Sequence, residues 1–212
     1  MSEKWIWLPD WASDLALWED DLTDVDSSAR HTFVPYEKMV PNLGDLYKLP
    51  GLSAASTVVG WGMGALALLK NASGRKPGQK WILLSPFADF CDDDGDWTEQ
   101  NLTFMARQMR STIEPALKSF MEQFSDEFGE WQDDWFRAAK KMDPALLAEG
   151  ITYLATNKVT EPLANGEDIQ VYYGRMDQAI PPLQTLKLKE FLPGATFKER
   201  PKAGHWPPML LL

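Results

Sequence analysis

The stretch STVVGWGMGALALLK, residues 56–70, decides how the rest of the chain is read. Val58 and Val59 sit in a short apolar run of strand character, and the residues from Met63 onward have the composition of a buried helix. Between them Gly60, Gly62 and Gly64 occupy alternate positions of a strand-to-helix corner. Two chemistries use such a corner. A dinucleotide fingerprint needs G-x-G-x-x-G/A, which Gly60, Gly62 and Ala65 supply, and an acidic residue about twenty positions on, at the end of the next strand. That strand candidate, KWILLSP, ends in Ser85 and Pro86, and Asp89 lies beyond its end. A nucleophile elbow needs G-x-S-x-G, followed in chain order by an acid and a histidine after later strands. The frame here is Gly60-Trp61-Gly62-Met63-Gly64, with glycine where the serine belongs.

Working outward, the acid and the histidine are present in that order. VYYGRMDQAIPP places Asp177 just after a strand candidate, and FKERPKAGHWPP places His205 just after the last one. The strand candidates are 4–9, 31–36, 56–61, 80–86, 168–174 and 196–200. They alternate with helical patterns near 14–23, 63–71 and 182–191, which predicts an α/β class with a mainly parallel sheet. About eighty residues separate the fourth strand from the fifth, far more than a crossover of a dozen or so requires. Within that interval Thr98 can cap a helix carrying Leu102, Met105 and Met109 on one face. Pro115 opens a second with Leu117, Phe120, Met121 and Phe124, a third runs near 128–142, and Asp143-Pro144 opens a fourth to about 156. The expected organisation is a core of residues 1–95 and 158–212 and a helical lid of 96–157.

Bulk properties narrow the function. The formal net charge of −10 argues against binding nucleic acid. The one cysteine, Cys91, leaves no intrachain disulfide and no thiolate metal cluster. No apolar run reaches the roughly 18 residues of a membrane span, and MSEKWIWLPDW lacks the pattern of a secretory signal, so a cytoplasmic location without membrane contact is expected. The acidic run Asp92, Asp93, Asp94 and Asp96 suggests a calcium loop, but setting Gly95 at the loop glycine puts Phe90 and Asn101 at the terminal ligand positions. No metal and no cofactor are expected.

The elbow, acid and histidine together resemble the α/β-hydrolase family. More narrowly, GWGMG, YYGRMDQAIPP and KAGHWP resemble the corresponding turns of the pimeloyl-[acyl-carrier-protein] methyl ester esterases of biotin synthesis. The resemblance implies an α/β-hydrolase fold with a helical lid and a Ser-His-Asp carboxylesterase mechanism. Its site residues would be Gly62 at the nucleophile position, Asp177 and His205. It also implies oxyanion donors at the backbone amides of Trp11 and Met63, although Pro9 and Asp10 stand where that family has His and Gly. The partner it implies is a small-molecule or acyl-carrier-protein-linked ester. An acyl carrier protein could dock on Arg137, Lys140 and Lys141, a basic face opposite Trp131, Trp135, Ala138 and Met142, with Arg107 and Arg110 as further lid candidates.

Glycine has no side chain to attack with, so the serine mechanism has a gap at Gly62. The expectations are negligible esterase activity, its appearance on Gly62→Ser, and a void at Gly62 sized for the missing hydroxymethyl group. Met105, Met109, Phe120 and Trp135 are expected to be core, some of them lining an acyl channel. A non-catalytic hydrolase-fold ligand-binding protein is the alternative, with a dinucleotide-binding domain third. The chain stops at PPMLLL, where folds of this kind usually continue into a last helix.

Overall fold

In the computed structural model of the chain, which describes residues 2–91, 97–122 and 131–211, six strands form one parallel sheet. They are β1 (Lys4–Leu8), β2 (Arg30–Phe33), β3 (Thr57–Trp61), β4 (Lys80–Leu84), β5 (Ile169–Gly174) and β6 (Thr196–Arg200). Their order is β2-β1-β3-β4-β5-β6, with every neighbouring pair parallel. The central strands are apolar through their length because both faces are covered: TVVGW is wholly buried, and in KWIWL and KWILL only the first residue is exposed. The outer strands, RHTF and TFKER, are half-exposed and read accordingly. β2 ends at Phe33, earlier than the apolar run suggested, because Pro35 has no N–H to pair and Tyr36 begins a helical turn.

The strand order determines where a crevice can form. From β1 the chain crosses to β2 on one side and returns to β3 on the other, so the turns leaving β1 and β3 diverge at the carboxyl edge of the sheet. Leu8 pairs with Gly60, which sets Asp10 and Gly62, each two residues further on, side by side at that edge.

The elbow helix, Met63–Lys70, is buried from Met63 through Leu69. A Cβ on Gly60 would lie 2.8 Å from the Ala65 backbone, and one on Gly64 would lie 2.7 Å from the Leu8 carbonyl oxygen. These two glycines let the helix start directly against β3 and β1.

Between β4 and β5 stand the helices Glu99–Ser111, Ile113–Glu122, Gln132–Ala139 and Pro144–Thr156. Thr98 caps the first by accepting from Asn101 N–H at 3.2 Å, and Asp143 caps the last by accepting from Ala145 N–H at 2.8 Å. The second begins at Ile113, two residues before Pro115, since a proline in the first turn removes no intrahelical bond. Phe124 and the acidic run Asp92, Asp93, Asp94 and Asp96 lie outside the described residues. The stems of this insertion are joined, with Asp89 bridging Lys158 and the Val159 amide donating to the Ala88 carbonyl at 2.7 Å.

The short turns Tyr36–Met39, Val40–Asn42, Leu46–Lys48 and Leu52–Ala54 had no counterpart in the sequence reading. At three or four residues each they are too brief to show a period. The end of the chain also corrects an expectation: a short helix, Pro207–Leu211, follows the histidine turn. Two prolines fit its first turn, and Arg200 Nε donates to the Leu210 carbonyl at 2.9 Å. Among the described residues, no helix is long and apolar enough to cross a membrane.

Candidate active site

The carboxyl ends of five strands deliver the site: Asp10 follows β1, Gly62 follows β3, Ser85 follows β4, Asp177 follows β5, and His205 lies in the turn after β6. Gly62 has φ 51° and ψ −111°, a backbone state costly for any side chain, and its corner aims the Met63 amide outward at the first turn of the elbow helix.

Asp177 is fully buried and held from three directions. Its Oδ1 accepts from the Ile180 amide at 2.7 Å, and its Oδ2 accepts from Ser85 Oγ at 2.6 Å. The same Oδ2 lies 3.0 Å from His205 Nδ1. Ser85 reaches this position with φ 43°, an uncommon value for a residue with a side chain. His205 is buried between Trp61 and Trp206, and Trp61 Nε1 donates to its carbonyl oxygen at 3.0 Å.

The structure brings Gly62, Asp177 and His205 together, but the void expected at Gly62 is not there. The Asp10 side chain fills it: a Cβ built on Gly62 would lie 2.2 Å from Asp10 Cγ. Asp10 Oδ1 accepts from the Met63 amide at 2.6 Å, and Oδ2 lies 2.8 Å from His205 Nε2. A carboxylate therefore occupies the place where a serine hydroxyl and a reacting carbonyl oxygen would sit. The amide at the start of a helix, with the helix dipole behind it, favours an anion there.

Both imidazole nitrogens of His205 face carboxylate oxygens, which only accept, so the ring serves both as the doubly protonated imidazolium. Burial pulls its pKa down. The charge of Asp177, with the hydrogen bonds that the ring donates to Asp10 and Asp177, outweighs burial and holds it well above the ordinary histidine value.

The turn that carries Asp10 is pinned by the helices above it. Trp11 Nε1 donates to the Leu147 carbonyl at 3.0 Å. Ser13 Oγ donates to the Trp11 carbonyl and accepts from Trp135 Nε1 at 3.2 Å. Ala12 in this turn has φ 52°. Trp11 thus joins the turn to the helical insertion through its side chain. Over the site lies a narrow apolar cavity of about 40 Å³, walled by Asp10, Trp11, Trp61, Met105, Phe120, Trp135, Ile151 and His205 among others. That is room for a few waters and not for an extended acyl chain. Of the four side chains expected as core or channel, Met105, Phe120 and Trp135 line this cavity, and Met109 is buried away from its wall.

The basic residues of the insertion are partly engaged. Arg137 pairs with Asp134, and Lys140 lies 3.8 Å from Glu114; Lys141 is exposed. Among the described residues there is no cluster of three or more His, Cys, Asp or Glu side chains able to hold a metal ion.

Sequence reasoning missed Asp10 and Ser85 as site residues. Asp10 registered only as a departure from the expected His-Gly turn, and the Leu8–Gly60 pairing that puts it beside Gly62 is a tertiary fact.

No protein-family model matches the chain, and no curated protein matches it in sequence. Solved structures do match in fold. An esterase from Exiguobacterium antarcticum superposes with a TM-score of 0.73 at 16% identity, over 96% of this chain and 85% of that one. A thermophilic esterase from Thermogutta terrifontis gives 0.72 at 17% identity, over 99% and 85%. The enol-lactonase from Burkholderia xenovorans gives 0.73 at 14%, over 97% and 85%. At such identities the likeness concerns architecture, and the chain has the α/β-hydrolase fold.

Proposed function

We propose that this chain is a hydrolase-fold protein of carboxylic ester hydrolase descent in which the serine route is closed. One observation carries the reading: the Asp10 carboxylate is seated at Gly62, hydrogen-bonded to the Met63 amide and paired with His205. An ester entering this site meets no hydroxyl at position 62, and Ser13 Oγ in the cavity wall already donates to the Trp11 carbonyl. The carbonyl oxygen of the ester would also have to displace a carboxylate from the amide that should stabilise it. The expected rate on p-nitrophenyl butyrate is the solvent background. Asp10→Gly combined with Gly62→Ser clears the seat and supplies the nucleophile, and turnover is expected from the double variant but not from Gly62→Ser alone. Brisk turnover by the unmodified chain would overturn the reading.

The narrower assignment, descent from the pimeloyl-[acyl-carrier-protein] methyl ester esterases with an acyl carrier protein as partner, is supported by the GWGMG, YYGRMDQAIPP and KAGHWP turns and by the basic residues of the insertion. Since Arg137 and Lys140 already face Asp134 and Glu114, docking would draw chiefly on Lys141 and on rearrangement of these pairs. Changing Arg137, Lys140 and Lys141 to Glu is expected to weaken carrier-protein binding in a salt-dependent way. Unchanged affinity would remove the assignment of that surface.

A further inference from the structure

Asp10 is more than an obstruction in its position, and we propose that it is a nucleophile, attacking a saturated carbon of a small apolar epoxide so that the chain hydrates epoxides to vicinal diols. The proposal rests on the reading that the serine route is closed.

Both oxygens of this carboxylate are oriented. Oδ1 sits on the Met63 amide and Oδ2 faces His205 Nε2, while the group itself forms part of the wall of the apolar cavity. The chemistry of a carboxylate then selects the electrophile. Attack on an ester carbonyl would form an anhydride, less stable than the ester consumed. Attack on a saturated carbon forms an ordinary ester. An epoxide also suits the enclosure, because its departing oxygen stays tethered to the substrate and needs only a proton. His205 holds one on Nε2, 2.8 Å from the attacking oxygen. A halide would instead leave as a free anion in an apolar cavity, and His205 would still carry a proton when a base was needed.

The steps balance. Asp10 Oδ2 forms a bond to carbon as the ring C–O bond breaks, and the ring oxygen keeps the electron pair and takes the Nε2 proton. This leaves a hydroxyalkyl ester of Asp10 and a neutral His205. Forming the ester removes one of the two negative charges that favoured the imidazolium, so His205 is now a base. It takes a proton from water as the water oxygen attacks Asp10 Cγ. The negative charge of that intermediate falls on the oxygen held by the Met63 amide. Collapse expels the alkoxide, which takes the second proton of the water. Diol, Asp10 carboxylate and protonated His205 result. Asp177, fixed by Ser85 and the Ile180 amide, holds the ring in place through both steps.

The test is a single turnover of propylene oxide, four heavy atoms and so matched to a cavity of about 40 Å³, by excess full-length protein in 18O-water. The expected product is a diol free of heavy oxygen, with one heavy oxygen in the peptide containing Asp10, because water attacks the enzyme ester and not the substrate. Asp10→Asn is expected to lower diol formation by about 1,000-fold or more, as losing a nucleophile does elsewhere. Absence of diol above the solvent background overturns the proposal, and so does diol carrying the label with none in Asp10. If Asp10→Asn fails to fold, the label position in the unmodified protein decides alone. Ester turnover is measured on the same preparations. Brisk p-nitrophenyl butyrate hydrolysis sinks the closed-serine reading whatever the epoxide result, whereas silence toward both substrates sinks only this proposal.

Discussion

At the residue scale the site is governed by two positions that exclude each other's usual occupants. Gly62, at φ 51°, tolerates the elbow backbone, and its missing Cβ is what admits the Asp10 carboxyl group. A serine there would put its Cβ 2.2 Å from Asp10 Cγ. Gly62→Ser is therefore expected to lower the unfolding free energy by about 1–3 kcal/mol, the usual cost of forcing atoms into a filled site. Asp10→Gly in the same chain should return much of that loss, a coupling that urea unfolding of the double-mutant cycle reads directly. Additive effects would mean that the two side chains do not compete for one space. Asp177 and His205 were legible in the sequence because their turns follow strand candidates in a fixed chain order. Asp10 was not, because an aspartate after a strand is commonplace and only the pairing of β1 with β3 puts it opposite the elbow.

Elements explain why the corner is built from glycines at all. Gly60 and Gly64 serve the approach of the elbow helix to β3 and β1, a packing role that needs no bound phosphate to account for it. Gly64→Ala is expected to cost about 1–3 kcal/mol, because its Cβ would press on the Leu8 and Pro9 carbonyl oxygens, backbone that cannot rotate away. A melting temperature equal to that of the unmodified chain would contradict this packing. The insertion depends on Trp135, fully buried, whose indole N–H reaches Ser13 in the turn that carries Asp10. Trp135→Ala is expected to cost about 3–5 kcal/mol and to loosen that turn, seen as faster amide exchange at Trp11 to Ser13. Strands and long helices were readable because their apolar runs carry a period or a length. The turns between Tyr36 and Ala54, at three or four residues each, carry neither.

For the whole molecule, the sheet order brings into one crevice groups that are 195 residues apart in sequence, Asp10 and His205. The α/β class was legible from alternation alone, but which turns face each other at the carboxyl edge depended on strand order, which no local pattern encodes. The Asp10–His205–Asp177 array also links global stability to pH. His205 titrates higher in the folded chain than in the unfolded one, so its contribution is complete below about pH 6.5 and is lost as pH rises through the raised folded value. The stability difference between the unmodified chain and His205→Gln, from urea unfolding, should therefore shrink as pH climbs above neutrality; a difference that stays constant or grows would contradict the array. The most direct measurement is 15N NMR of the His205 ring at pH 7.5, in the unmodified chain and in Asp10→Asn. The account predicts an imidazolium with both nitrogens protonated in the first and a fall in its titration midpoint in the second. A neutral ring in the unmodified chain, with a titration indifferent to Asp10, would contradict it.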